Sequence, residues 1–377
     1  MSALTFTGNG KEIAAALGHI SSSINKGSPL PILSCYAIEV REGELVAKAT
    51  DLDAQHSISL PVVIERGAAG AGACAAAGLL AGLLSRCNGD EARITIDGEV
   101  LVVASAGRKA SMKVLPLAEF PTPHDPLSEW LEMDGGPLGA AIRGVAFATS
   151  YEETRYVLNG LYLSRESQVV ATDGRRLAMM QLPKALPECV TDMIVPNKAL
   201  PPLADILCRH EKVKVASDES GLCVAAPGET FFTKRIEGNY PNFQQVIPRY
   251  HQPVKATVDR EAMQKALAWA KLMRTTKDAS VKLSAADGHL TISIASPDVG
   301  EAEETLPLRG GDGAVFKVAL NLTYLEQMVA RDGGDYFMLE CEPDKDGHYK
   351  GAVMGPMLVR EEDEAFLGVL MPMRLTT

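Results

Sequence analysis

The sequence predicts an α+β protein made of three repeated domains, each pairing two helices with antiparallel sheet. Three observations predict it. An apolar run that enters an Asp-containing turn recurs about every 120 residues, at Val46–Asp53, Gln168–Met180 and Leu283–Ile294. Helix-periodic stretches alternate with groups of short strands, twice in every recurrence. Proline-rich breaks follow the first two, at Phe120-Pro121-Thr122-Pro123 and from Tyr240-Pro241 to Pro248, dividing the chain into 1–123, 124–250 and 251–377.

In the first domain, Ile13, Leu17, Ile20 and Ile24 stand three and four apart and predict a helix over 10–24. Strands are predicted at Ile32–Val40, Glu44–Ala49 and His56–Val63, then a helix over 74–86 with Leu79, Leu80, Leu83 and Leu84. Arg93–Ile96, Val100–Ser105 and Ser111–Leu115 follow as strands, the first two joined by Asp97-Gly98. The order restarts with a helix over 137–150, strands at Tyr156–Ser164 and through the 168–183 hairpin, a helix from Pro196 to Leu207, and strands at Lys212–Ala216, Leu222–Ala226 and Thr230–Ile236. The third pass reads Arg260–Met273 as helix, strands from Val281 through Leu308, Asn321–Ala330 as helix, and Tyr336–Cys341 and Ala352–Met354 as strands. Each domain thus reads helix, strands, helix, strands.

A chain of 377 residues with 46% hydrophobic content suits two or three folded domains. Its net charge of −11 argues against nucleic acid on average, without excluding a local basic face. Seven scattered cysteines with no Cys-x-x-Cys fit reduced thiols in a cytoplasmic protein, without disulfide frame or zinc. The start lacks the blocks of a signal peptide, and the uncharged stretch between Arg66 and Arg86 is too rich in Ala and Gly to span a membrane.

Gly70-Ala71-Gly72-Ala73-Cys74-Ala75 imitates a dinucleotide-binding turn, yet four residues separate it from the preceding strand and alanine fills its third glycine position. The seven histidines lack metal-ligand spacing, and Asp51, Asp53 and Asp173 read as turn residues bonding their own backbone. No catalytic constellation, metal site or cofactor is expected. Charge is uneven: the six predicted helices sum to about +5 and the remainder to about −16, so helices sharing a face would make a positive strip. Near the C-terminus, Met371-Pro372-Met373-Arg374-Leu375 gathers flexible apolar side chains of the kind that accept varied peptides; a last core strand fits the composition equally.

Six stretches in order resemble the bacterial DNA polymerase III beta subunit family, the beta sliding clamps. They are Leu30–Leu33, Ala49–Leu52, Thr154–Gly160, Ala171–Ala178, Ile236–Pro241 and Met371–Leu375. The resemblance implies the DNA clamp fold, with two chains closing six domains head to tail into a ring whose helices face encircled double-stranded DNA. It implies a non-catalytic processivity role in replication, tethering the replicative polymerase, the clamp loader and repair polymerases through short peptides. The implied peptide groove comprises Leu158, Thr172, Gly174, Arg175, Arg176, Leu177, Pro241, Gln245, Val246, Val369, Leu370, Met371, Pro372, Met373, Arg374 and Leu375, with Asn321 and Tyr324 beside it. Implied DNA-facing residues are Lys26, Arg155, Tyr156 and Lys198; Ala110, Leu272 and Met273 are the implied homodimer contacts.

The chain departs from the family pattern in places. Arg175 stands where many members have histidine, Gln245 where arginine is frequent, and Ala110 where a large aromatic is common. Residues 360–364 form an acidic insertion, and Thr376-Thr377 extends the usual end. These differences suit an alternative role as an accessory clamp for repair polymerases or a mobile element. A dinucleotide enzyme built on Gly70–Ala75 is the third reading.

Overall fold

A computed structural model describes residues 3–87, 91–121, 129–273, 280–296, 300–310, 314–331, 333–342, 355–361 and 364–373. Its elements repeat as strand, helix and three strands, six times over. The first copy is β1 (Leu4–Asn9), α1 (Gly10–Ile20), β2 (Cys35–Arg41), β3 (Glu44–Thr50) and β4 (Ala54–Pro61), with an added β5 (Val63–Arg66). The second is β6 (Gly72–Ala76), α2 (Ala77–Leu84), β7 (Glu91–Asp97), β8 (Val100–Ser105) and β9 (Arg108–Pro116). Next come β10 (Leu131–Asp134), α3 (Gly135–Val145), β11 (Gly160–Leu163), β12 (Gln168–Thr172) and β13 (Arg176–Gln181). The fourth is β14 (Met193–Pro196), α4 (Leu200–Arg209), β15 (Lys212–Ser217), β16 (Gly221–Ala226) and β17 (Glu229–Lys234). Then follow β18 (Val254–Asp259), α5 (Arg260–Ala270), β19 (Ser280–Ala286), β20 (His289–Ser296) and β21 (Gly300–Pro307). The last is β22 (Phe316–Asn321), α6 (Leu322–Ala330), β23 (Tyr336–Cys341), β24 (Met357–Glu361) and β25 (Phe366–Leu370).

The strand that enters each helix is the element the sequence reading lacks. At three of these junctions the last strand residue is also the helix cap. Asn9 accepts the amides of Lys11 and Glu12, Asp259 that of Ala262, and Asn321 that of Tyr324. With no intervening turn, nothing in the composition marks the change. The second helix is also corrected: Cys74–Ala76 are strand, paired antiparallel with β2, and α2 begins at Ala77. That pairing removes the strand-turn-helix geometry a dinucleotide would need. Two predicted strands begin instead as 3-10 turns, Pro31–Ser34 and Glu153–Leu158, and the predicted strand at 352–354 lies outside the described residues.

All strand pairs are antiparallel and form sheets of thirteen, eight and four strands. The chain divides into two compact units. The first holds residues 1–139, 187–190 and 198–235, and with them the thirteen-stranded sheet. Its core packs Ile13, Leu17 and Ile20 of α1 and Leu80 and Leu84 of α2 on Phe6, Leu45, Ile94 and Leu101. The second unit holds 140–186, 191–197 and 236–377, with the other two sheets. In each unit a strand from one third of the chain pairs with a strand from the next: β4 with β17, and β13 with β25. We call these the first and second seams.

The three sequence echoes are not equivalent. Thr50 pairs with Gln55 and Thr172 with Leu177, each across a four-residue loop, and both hairpins join the last two strands of their copy. Ala286 pairs with His289 across only Asp287 and Gly288, both at positive φ (49° and 72°), and this hairpin joins an earlier strand pair. Its counterpart in the first copy is the Glu42–Gly43 turn, at 46° and 88°.

Candidate functional site

The site forms in the second unit, where the 172–177 loop meets the end of β25. Thr172 Oγ1 donates to the Arg176 carbonyl (2.6 Å), and Asp173 Oδ1 accepts the amides of Arg175 (2.9 Å) and Arg176 (3.0 Å). Gly174 takes φ +84°, and a Cβ there would lie 2.6 Å from Arg155 Nη1, which donates to the Asp173 carbonyl. The chain leaving β25 is stitched on both sides. The Met371 amide donates to the Arg175 carbonyl (3.1 Å) and the Met373 amide to that of Ala319 (2.7 Å).

Strand alternation divides the expected groove residues between two faces. Thr172, Leu177 and Val369 share one face; Leu177 and Val369 belong to a cluster with Val170, Leu358, Leu367 and Phe243, edged by Tyr162, Met179, Tyr240, Ile247 and Tyr250. Tyr162 and Tyr240 stack there at 4.9 Å. Leu177 is only 1% exposed and Val369 3%, so both support the site from beneath. Leu158 is buried too. Val246 (54% exposed) and Met371 (48%) are the exposed apolar residues of the expected groove; Pro241 and Gln245 are exposed too, and Pro372 and Met373 half-buried.

Arg176 and Leu370 pair with each other on the opposite face and are buried. The Arg176 guanidinium lies 4.3 Å from the Tyr324 ring centroid and 5.3 Å from that of Phe147, pairs with Asp173 at 3.0 Å, and donates to Gln327 and the Phe147 carbonyl. Burial lowers its pKa and Asp173 opposes the shift. It fastens the hairpin to α6 and to the turn after α3. Arg175, one residue earlier, is exposed; its hydrogen bond to Tyr324, aided by the charge of Glu152, raises its pKa. Asn321 and Tyr324 are half-buried at the start of α6, and Arg374 and Leu375 lie outside the described residues.

The other expected positions are on surfaces. Lys26, Arg155, Tyr156 and Lys198 are exposed. Ala110 is half-buried on β9; Leu272 is 76% exposed in the turn after α5, and Met273 Cε lies 3.5 Å from where a Gly300 Cβ would sit. Among the described residues no cluster of His, Cys, Asp or Glu could hold a metal, none of the seven cysteines is in a disulfide, and no helix is long and apolar enough to cross a membrane.

Sequence reasoning missed one polar cluster in the first unit. Glu229 on β17 accepts from Arg209 Nη2 (2.6 and 2.8 Å) and lies 2.6 Å from buried His56 Nε2 on β4; Arg209 also reaches His19 of α1 at 2.6 Å. Burial alone would raise the Glu229 pKa, but His56 and Arg209 outweigh it and hold the carboxyl at about 2. The sequence separation of 173 between His56 and Glu229 leaves no local signal.

Comparison with known proteins gives a consistent result. Residues 132–242 match the family model for the central domain of the DNA polymerase III beta subunit, and 244–331 match that for its C-terminal domain. The beta sliding clamp of Caulobacter vibrioides NA1000 is 27% identical over 379 residues, covering 96% of this chain and 97% of that protein. That of Escherichia coli K12 is 27% identical over 332 residues, covering 85% and 88%. Among solved structures, the beta sliding clamp of C. crescentus superposes with TM-score 0.87 at 26% identity over 99% of both chains. The clamp of Bartonella birtlesii, bound to griselimycin, gives TM-score 0.88 at 25% identity over 99% of this chain and 100% of that one.

Proposed function

Because the chain belongs to the bacterial DNA polymerase III beta sliding clamp family, non-catalytic DNA sliding clamps of replication, we propose that two copies close head to tail around duplex DNA and hold partner proteins at the 172–177 hairpin. The observation that carries the docking site is the stitching of Met371 to Arg175, which sets the exposed Met371 at the end of a strand whose Val369 belongs to a buried apolar cluster. Burying a partner's leucine or aromatic side chain there contributes roughly 1.5–3 kcal/mol. The griselimycin-bound relative supports a ligand site in this fold. The three domains would be 1–123, 124–250 and 251–377, operating in the cytoplasm.

Two free strand edges support the dimer. The outer edge of β9 from Arg108 to Lys113 has no strand partner among the described residues and carries Arg108, Lys109 and Lys113 around Ala110. β21 is the edge of the four-stranded sheet and carries Glu301, Glu303 and Glu304 beside Met273. Edges of opposite charge on two copies can add strand to strand. Lys26, Arg155, Tyr156 and Lys198 would face DNA, whose charge every ~1.7 Å of axis is held without reading sequence. Tethering then keeps a polymerase at high effective concentration near its primer end. Loading onto nicked circular DNA, followed by linearisation, tests this: the protein should leave linear DNA over its ends and stay on circles. Equal retention on both would refute encirclement.

A further inference from the structure

Six copies end in six strands, and four of these are matched in the two seams. The first copy meets the fourth through β4 and β17, and the third meets the sixth through β13 and β25. The strands left are β9 of the second copy and β21 of the fifth, again three copies apart; among the described residues the two do not pair within one chain. Turn positions give the register they would take. Ser105–Arg108 closes the turn into β9 as Ala226–Glu229 closes the turn into β17, so Arg108 stands for Glu229. Arg41–Glu44 and Ala286–His289 close equivalent turns, and Glu44 and His289 pair with Pro61 and Pro307, so Pro307 stands for Pro61. The first-seam pairs Ile58–Glu229, Ser57–Thr230 and His56–Phe231 then become Glu304–Arg108, Glu303–Lys109 and Ala302–Ala110. Two of the three set opposite charges face to face. The third sets two alanines where the first seam has an imidazole and a phenyl ring.

A helix contact crosses each seam at a fixed position. The tenth residues of α1 and α3, His19 and Gly144, face an arginine two residues past the last buried apolar residue of the opposite helix. Those arginines are Arg209, after Leu207 of α4, and Arg331, after Val329 of α6. His19 Nδ1 lies 2.6 Å from Arg209 Nη1, and a Cβ on Gly144 would lie 3.8 Å from Arg331 Nε. The tenth residue of α5 is Trp269, and the arginine two past Leu84 of α2 is Arg86. Gln264 reaches back to Val329 at the end of α6; Trp269, about 140° further round the helix, points away from α6. Trp269 is 46% exposed and Arg86 is exposed as well. Among the described residues Trp269 has no ring or cation partner, and Arg86 meets no carboxylate, spending one nitrogen on the Gly82 carbonyl of its own helix (3.0 Å).

We propose that a third seam forms between two copies and is closed by Trp269 of one against Arg86 of the other, the indole lying over the guanidinium in the space beside Ala110 and Ala302. This rests on the head-to-tail dimer above and names the contact that holds it. Arginine over tryptophan is a favoured cation–π pair, and these two residue types are enriched among the side chains that dominate interfaces. The charged strand pairs set register and speed encounter, while burial of Trp269 slows dissociation. Across the three seams the helix position holds histidine, glycine and tryptophan, and the bulkiest stands where two chains must find each other.

The test uses the full chain, whose two tryptophans are Trp130 and Trp269. Sedimentation velocity gives the dimer dissociation constant, and in Trp130→Phe the emission of Trp269 should shift to the red as dilution separates the copies. Trp269→Ala should raise the constant about 10-fold and Arg86→Gln about 3- to 5-fold, with Arg86→Lys closer to the unaltered chain. Because the two side chains act on each other, Arg86→Gln should add little once Trp269 is alanine. A Trp269→Ala chain that dimerises normally, an emission indifferent to dissociation, or effects that simply multiply in the double variant would overturn the contact. Glu303→Lys with Glu304→Lys separates the underlying reading, since it should weaken the dimer through the strand edges alone. If that variant dimerises as before, or if the unaltered chain is a monomer at every concentration, the strand-edge dimer itself is wrong.

Discussion

The first seam closes on itself and the second leaves chemistry open, although the same device builds both. Thr50 and Thr172 each donate from their hydroxyl to the carbonyl four residues on, at 2.8 and 2.6 Å. Leu52 and Gly174 occupy the same left-handed position, at φ 78° and 84°. Strand pairing makes Lys48, Gln55, Ser57 and Thr230 the counterparts of Val170, Leu177, Met179 and Leu367. One outer face is thus polar where the other is apolar. The polar face borders an open concavity of about 980 Å³ that includes Trp130, but an apolar anchor entering it would bury Lys48 and the Ser57–Thr230 hydroxyl pair. On the helix face, His56 and Glu229 stand where the second seam has Ala178 and Phe366. A repeated backbone therefore fixes where a docking surface can form, and its side chains decide which copy has one.

The largest expected effect breaks the closed seam. Glu229→Ala strands Arg209 and His56 without their carboxylate and should cost about 3–5 kcal/mol of stability, read by denaturant unfolding. The same group predicts acid sensitivity. A carboxyl held at about 2 against an ordinary 4.5 stabilises the fold fully above pH 4.5, and that contribution fades as pH falls towards 2. It amounts to on the order of 3 kcal/mol, and Glu229→Gln should flatten the stability profile across that window. An unaltered profile in the variant would remove Glu229 from the acid response. Next in size, Val246→Ala with Met371→Ala should weaken an apolar peptide about 10-fold while leaving the unfolding midpoint nearly unchanged, since both side chains are about half exposed. Leu177→Ala is a poorer probe, because truncating a fully buried leucine costs about 2–5 kcal/mol of fold as well. The smallest effect sharpens the shared loop: Leu52→Gly relieves a left-handed leucine and should stabilise by up to ~1 kcal/mol. Destabilisation there would mean that the exposed leucine makes a contact worth more than its strain.

Much of this was legible in the residues. Ile13, Leu17 and Ile20 announced a helix face because a helix repeats every 3.6 residues whatever it packs on. Asp173 was legible as a turn residue because its side chain acts within its own loop. The strands feeding the helices were not legible, because Asn9, Asp259 and Asn321 end a strand and cap a helix at once. The separation of Val369 from Leu370 onto two faces follows from alternation alone, but a site taken as a run of neighbours conceals it. The pairing of β13 with β25 and the cluster around Glu229 depend on residues far apart in sequence, where periodicity carries no information. The third echo misled because an Asp-Gly turn looks the same whichever pair of strands it joins.

The second seam also sets an order of events during synthesis. Arg176 and its partner Leu370 are separated by roughly 190 residues, so a growing chain completes the 168–181 hairpin long before β25 exists. Until then the Arg176–Gln181 edge has no neighbour on that side, and contacts so distant in sequence form late. An open, largely apolar edge of this kind invites pairing with other chains. The proposed docking surface would therefore be finished only when β25 arrives to cover that edge, which makes β25 a gatekeeper against misassembly as well as one wall of the candidate site.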